Sequence, residues 1–200
     1  MDGPVAIIDS GGANIASLQH ALRRLGVRGQ LTTDADEIRA ARRVILPGVG
    51  AAGDAMQRLR DCGLIDVIRN LTQPVLGICL GMQLLAEASE EEGVECLGII
   101  PGIAARLEAQ SGLPVPNMGW CPVTTNMPSE LFVDIENGSY FYFLHSYALP
   151  VSDFTLATAS HKEPFSAVCG RANFMATQFH PERSSADGAR LLGNFLGLAA

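Results

Sequence analysis

Short apolar runs and amphipathic stripes alternate through the first half of the chain, and the alternation predicts its architecture. Val5 to Asp9 is a run suited to a strand buried on both faces, and Gly11 and Gly12 loop out of it. Asn14 is positioned to cap a helix whose stripe is Ile15, Leu18, Leu22 and Leu25. Arg23 and Arg24 suit the negative end of that helix, and Gly26 suits the residue just past it. Val27 to Thr32 predicts a weaker strand, Asp34 to Ala41 a short helix, and Val44-Ile45-Leu46 a buried strand ended by Pro47-Gly48-Val49-Gly50. Helical segments follow through Met56 and Leu59, and from Leu64 to Leu71. Strands alternating with helices over short connections predict a parallel sheet covered on both faces. Right-handed crossovers then bring the loops after the parallel strands to one edge, so residues 11–14, residues 47–50 and Cys79 belong together there.

The pattern changes after Ser89-Glu90-Glu91-Glu92, read here as a solvated acidic loop outside any site. Residues 97–107 and 115–125 are broken by Gly and Pro and predict irregular β structure. Tyr140 to Tyr147 is strongly strand-like, residues 155–159 and 165–168 suggest a hairpin, and Phe174 to Phe179 a last strand. A helix over residues 186–196, with Ala189, Leu192 and Leu196 as its stripe, closes the chain. The expected fold is therefore α/β, a three-layer, mostly parallel central sheet with an added antiparallel portion in the C-terminal half. It forms one domain over residues 1–200.

Composition narrows the function classes. At 48% hydrophobic and 18% charged residues, the chain has the make-up of a compact globule. A net charge of −7 without a basic run argues against nucleic-acid binding through phosphates. The amino terminus lacks the basic and apolar regions of a signal peptide, and no apolar run reaches the ~20 residues needed to cross a bilayer. The expected location is cytoplasmic. Five scattered cysteines form no Cys-x-x-Cys pair and no zinc spacing with the four histidines, so reduced thiols are expected and neither a metal nor a disulfide framework.

The candidate chemistry centres on Gln73 to Gln83. Pro74, Val75 and Leu76 open an apolar run that turns directly into a helical pattern at Met82, Leu85 and Ala86, with Cys79 between Gly77 and Gly81. Gly-x-Cys-x-Gly is the spacing of a nucleophile elbow, in which a tight corner raises the central side chain at the end of a sheet. The following helix aims its free N–H groups at the sulfur and favours thiolate. A buried, inert core cysteine is the competing reading, and the motif alone does not separate the two. A thiolate nucleophile needs an imidazole held by a third group. His180 stands at the end of an apolar strand, Pro181 is read as keeping the chain extended, and Glu182 then lies on the same side as His180. The Leu80 N–H and the 47–50 loop are candidate oxyanion donors. His145 is equally well a hydrogen-bonded structural residue, and His20 and His161 are read as surface residues.

Gly-Ile-Cys-Leu-Gly-Met-Gln, Pro-Gly-Val-Gly and Gln-Phe-His-Pro-Glu together resemble the class I glutamine amidotransferases. Residues 46–50, 97–101, 116–120, 140–147 and 178–184 narrow the likeness to the glutaminase subunits of imidazole glycerol phosphate synthase, and it spans essentially the whole chain. The resemblance implies hydrolysis of glutamine to glutamate and ammonia by a Cys79–His180–Glu182 triad, without cofactor. It implies an oxyanion hole from Gly48, Val49, Gly50 and Leu80. Gln83, His145, Ser146 and Tyr147 fall where the family positions glutamine. The implied partner is a (β/α)8-barrel synthase subunit that receives the ammonia and makes imidazole glycerol phosphate and an aminoimidazole carboxamide ribotide. Asn14, the 47–50 loop, Trp120 and Tyr142 match the family's contact with that barrel, although Trp120 reads equally as core. Activity is expected to be weak without the partner.

Asn117 and Cys121 depart from the family's usual His and Asn, and Arg183 replaces a common Lys with its charge kept. A thiol hydrolase of the α/β-hydrolase type is disfavoured, because its acid precedes the histidine in sequence, whereas Glu182 follows it. A non-catalytic module with an oxidisable Cys79 is the remaining alternative.

Overall fold

The computed structural model describes residues 4–11 and 15–199. The first half is built as its periodicity predicts. Strands β1 (Val5–Ile8), β2 (Gly29–Thr32), β3 (Arg43–Gly48) and β4 (Val75–Cys79) alternate with helices α1 (Ile15–Arg24), α2 (Ala35–Ala40), α3 (Ala52–Asp61) and α4 (Ile65–Arg69), and α5 (Leu80–Leu85) follows β4 without a loop. Gly26 takes φ +77° just past α1. The Asp34 carboxylate caps α2, accepting from the backbone N–H groups of Asp36 and Glu37. Asn14 and Gly12 lie outside the described residues.

The second half supplies β5 (Ala88–Ser89), β6 (Val94–Glu95), β7 (Ile103–Arg106), β8 (Asn117–Pro122), β9 (Thr124–Thr125), β10 (Tyr140–His145), β11 (Tyr147–Ala148), β12 (Thr155–His161), β13 (Glu163–Arg171), β14 (Phe174–Thr177) and α6 (Ser185–Gly197). The main sheet runs β2-β1-β3-β4-β14-β13-β12-β9. Its first five strands pair in parallel, and β13, β12 and β9 extend it antiparallel. A ribbon of β8 and β10 and a small sheet ordered β11-β7-β5-β6 complete the β structure.

Alternate residues of the parallel strands feed two cores, as the period of two along a strand requires. Ala6, Ile8, Val44, Leu46 and Val75 pack beneath α2 to α5. Val5, Ile7, Ile45, Leu76 and Ile78 pack beneath α1, α6 and the ribbon's Phe141 and Phe143. None of the helices among the described residues is long and apolar enough to cross a membrane.

Away from the turn after His180 and the acidic loop, the structure departs from the sequence reading in four places. The strand-like stretch 140–147 is two strands in different sheets, broken at Ser146. The last strand ends at Thr177; Gln178 makes one more bond to β13, its N–H donating to the Ala167 carbonyl at 2.9 Å, and the chain then crosses to β10, where the His180 N–H donates to the Tyr142 carbonyl at 2.9 Å. In α6 the core side is carried by Leu191, Leu192, Phe195 and Leu196, with Ala189 only partly buried. His161 is buried at the end of β12 and not on the surface, whereas His20 is exposed.

Candidate active site

The corner after β4 is a product of local sterics. β4 lies between β3 and β14, so residues 75–79 are buried throughout. Cys79 takes φ 54° and ψ −111°, a backbone state that costs a non-glycine residue about 1–3 kcal/mol. Two glycines allow α5 to start against the sheet. A Cβ on Gly81 would lie 1.8 Å from the Leu46 carbonyl oxygen, and one on Gly77 would lie 2.9 Å from the Gly81 carbonyl oxygen. Cys79 as a residue is 6% exposed. The Leu144 carbonyl oxygen lies 3.6 Å from it, and the Gln178 Nε2 donates to it from 3.9 Å.

His180 enters from the far end of β14 with its Nδ1 2.9 Å from Glu182 Oε1. Residues 181–183 form a 3-10 turn and not the extended segment expected, so Glu182 reaches the ring by folding back over Pro181. Both side chains are buried. With Nδ1 engaged by the carboxylate, Nε2 is the nitrogen left for the sulfur. Burial alone would lower the His180 pKa, but hydrogen bonds to Cys79 and Glu182, and their charges, outweigh it and raise the pKa to about 10. An imidazolium facing sulfur is the favoured resting arrangement.

Cys79 and His180 line one pocket of about 460 Å³. Its wall also includes Val49, Gly50, Leu80, Gln83 and residues 144–147. Gly48 pairs in register with Cys79 but does not line the pocket; a Cβ there would press on Leu80 at 2.9 Å. Val49 and Gly50, the latter at φ +96°, reach the cavity.

Behind the pocket, a polar chain sets amide and ring orientations. Gln83 Nε2 donates to the Tyr147 carbonyl at 2.9 Å and to Gln178 Oε1 at 3.3 Å, which turns the Gln178 NH2 toward the thiol. His145 Nδ1 donates to the same Tyr147 carbonyl at 2.9 Å, and its Nε2 accepts from Asn117 Nδ2 at 3.1 Å. Burial holds the His145 pKa down at about 4, against the opposing bond to Tyr147, so the ring is neutral. The Cys121 thiol donates to Asn117 Oδ1 at 3.7 Å, so the two departures from the family pattern are neighbours.

Trp120 is 50% exposed, which excludes the core reading for it. Its ring meets Tyr142 edge-on at 6.1 Å, and the Arg183 guanidinium lies over the Tyr142 ring at 4.3 Å. Cross-strand pairing of Leu144 with Met118, Tyr142 with Trp120 and Tyr140 with Pro122 gives the ribbon an outward apolar face.

Two features of the site escaped the sequence reading. Gln178 carried only the motif Gln-Phe-His-Pro-Glu as a signal. Glu91, set aside with the acidic loop, lines the pocket and accepts from the Ala52 N–H at 2.8 Å, where α3 has no side-chain cap of its own. Glu90 likewise binds the Arg106 N–H at 2.8 Å, and Ser89 is buried, so the loop is structured and not merely solvated.

Comparison with known proteins places this architecture. The family model for glutamine amidotransferase class-I matches residues 6–198. The imidazole glycerol phosphate synthase subunit HisH of Shewanella oneidensis (strain MR-1) is 50% identical, covering 96% of this chain and 95% of that protein. Subunit HisH 2 of Legionella pneumophila (strain Paris) is 52% identical, covering 97% and 98%. Among solved structures, one titled as a glutamine amidotransferase superposes with TM-score 0.74 at 17% identity, over 96% of each chain. PurLQS from Thermotoga maritima superposes with TM-score 0.74 at 18% identity, over 98% of each chain. At these identities the two structures speak for the fold alone.

Proposed function

Because the chain belongs to the class I glutamine amidotransferases, and within them to the HisH subunits of imidazole glycerol phosphate synthase in histidine biosynthesis, we propose that Cys79, His180 and Glu182 hydrolyse glutamine and that the ammonia passes to a partner subunit. The observation that carries this reading is the meeting of the corner cysteine and the Glu182-held imidazole on one pocket.

The Cys79 sulfur attacks the side-chain amide carbon of glutamine. The oxyanion that forms is held by the Leu80 N–H at the head of α5 and by the loop at Val49 and Gly50. The His180 imidazolium gives its Nε2 proton to the amide nitrogen, the C–N bond breaks and ammonia departs. A glutamyl thioester remains on Cys79. His180, now neutral, takes a proton from water as that water attacks the thioester; the C–S bond breaks and glutamate leaves. Glu182 keeps the ring in one tautomer and stabilises its charged form. The pocket also suits the α-carbon end of an amino acid. Glu91 and Arg183 are its acidic and basic lining residues, matching an ammonium and a carboxylate, and backbone groups near Ser146 and Tyr147 complete the site with Gln83.

The partner proposed is a (β/α)8-barrel cyclase subunit of the HisF type. Its docking face is the apolar side of the β8/β10 ribbon, centred on Trp120 and Tyr142. Aromatic residues exposed together on a ribbon next to a catalytic histidine are the composition expected of an interface centre.

A glutamine-analogue diazoketone tests the chemistry. It should attach one equivalent to Cys79 and be blocked by glutamine; labelling elsewhere, or no protection, refutes the reading. In the complex, Cys79→Ala should abolish synthesis from glutamine while leaving synthesis from free ammonia. Loss of both would make Cys79 a structural residue.

A further inference from the structure

The catalytic segment is tied to the ribbon by a closed ring of hydrogen bonds that includes one buried hydroxyl. The His180 N–H donates to the Tyr142 carbonyl at 2.9 Å, the Tyr142 N–H donates to Ser184 Oγ at 2.9 Å, and the Ser184 O–H donates back to the His180 carbonyl at 2.7 Å. Ser184 is 1% exposed, so water does not substitute for these partners. Its side chain makes no cap for α6, the usual use of a serine at a helix start. We propose that Ser184 is a positioning residue for glutamine hydrolysis, whose hydroxyl clamps the His180 backbone to β10 and so aims the imidazole at Cys79. The inference rests on the hydrolytic reading above.

The geometry explains why a clamp is needed at that point. β14 ends at Thr177, so His180 has no sheet partner except the one carbonyl of Tyr142. Pro181 has no N–H to contribute, and the turn that follows must also present Glu182 to the ring. The Ser184 hydroxyl closes this turn on itself, joining the Arg183 N–H on the His180 carbonyl, while it gives the Tyr142 N–H its acceptor. The His180 N–H is thus held by Tyr142 of β10 and its carbonyl by Ser184, which is itself bound to the same Tyr142. Loosening either bond lets imidazole and carboxylate move together away from the sulfur.

The test is steady-state glutamine hydrolysis by the chain in complex with its synthase partner, followed across pH. Ser184→Ala should lower kcat about 10–100-fold, in line with the cost of small misplacements of catalytic groups. KM for glutamine should change less than kcat, because Gln83 and Tyr147 of the substrate wall are untouched. The alkaline limb of kcat/KM should move to lower pH, since an imidazole drawn back from the sulfur loses its proton more readily. Ser184→Thr, which keeps the hydroxyl, should restore most of the rate and the limb. Ser184→Cys fills a similar space with a poor acceptor, and should shift the limb even where the alanine variant does not fold. Asn194→Ala, which removes two bonds from the same helix to the Leu131 and Val133 carbonyls, serves as the control for simple loss of stability. An unchanged limb and kcat in folded Ser184→Ala or Ser184→Cys overturns the inference, as does a limb shift fully reproduced by Asn194→Ala. If the unaltered complex does not hydrolyse glutamine, the hydrolytic reading itself fails, an outcome distinct from either.

Discussion

Adding one methyl group to Gly81 should break both the fold of the corner and its chemistry. The new Cβ would lie 1.8 Å from the Leu46 carbonyl oxygen and 2.9 Å from the Leu46 carbonyl carbon, all rigid backbone of β3. Ordinary contact needs about 3.5 Å, so α5 would have to back away by more than an ångström. The side chains that would lose their seat are identifiable: Leu85 presses on Gly77 and Leu80 on Gly48. If about half of the ~50 contacts made by each of these two buried leucines face the sheet, ~50 contacts of ~0.15 kcal/mol are at stake, and a gap of that size forfeits about half of each well. The loss is then on the order of 4 kcal/mol, a size reserved for a short list of severe core and backbone defects.

Gly193→Ala is the matched control. Gly193 also sits within a helix, but an added Cβ there meets nothing within 4 Å. It should gain roughly 0.5–1 kcal/mol from helix propensity and a less flexible unfolded chain. Urea unfolding followed by circular dichroism gives both numbers, and glutamine hydrolysis in the complex gives the second readout. The Leu80 N–H travels with α5, so Gly81→Ala should also lose about 100-fold or more in rate wherever it remains folded. A Gly81→Ala protein within 1 kcal/mol of the parent, with its activity intact, would refute the steric account of the corner.

Four further outcomes follow from the site. Glu182→Gln removes one of the groups that raise the His180 pKa, so the alkaline limb of activity should fall at lower pH than in the parent, where it is expected near 10. The same raised pKa means that His180 stabilises the fold fully below about 6.5 and ceases to do so as pH rises through about 10, which thermal melts against pH will register. His145 has the opposite sign: with its pKa depressed to about 4, the fold holds the ring neutral and loses about 3 kcal/mol as pH falls from about 6.5 to 4. His145→Asn should flatten that part of the acid-stability curve; an unchanged curve would show that the ring does not resist protonation. Trp120→Ala should leave the stability of the isolated chain within ~0.5 kcal/mol, since half of the residue is already exposed. It should weaken partner binding by about 2–4 kcal/mol, as calorimetric titration would measure, and unaltered affinity would remove Trp120 from the docking face.

What the sequence reveals, and what it leaves hidden, divides along the range of the interactions involved. The βα alternation, the corner and its glycines are legible because each depends on neighbours within a turn or two: a period of two or 3.6, or a clash that only glycine avoids. His180 and Glu182 are legible as a pair because they are two residues apart, although the pairing is made by a 3-10 turn and not by an extended backbone. The hidden parts are those where a chain segment changes partners. Residues 140–147 have an unbroken strand composition, yet the strand breaks at Ser146 because Tyr147 must join β7 while its carbonyl receives both Gln83 and His145. Glu91 reads as surface charge because its use, capping α3 at Ala52, lies 39 residues back in the chain. His161 reads as surface because nothing near it in sequence announces that it is covered. Tyr142 shows why such a site concentrates its meaning at the junction of sheets. It gives its ring to the exposed face beside Trp120 and under Arg183, and its N–H and C=O to Ser184 and His180. A displacement of the β8/β10 ribbon by a docked partner would therefore bear directly on the backbone of His180, through bonds that no local pattern in the sequence encodes.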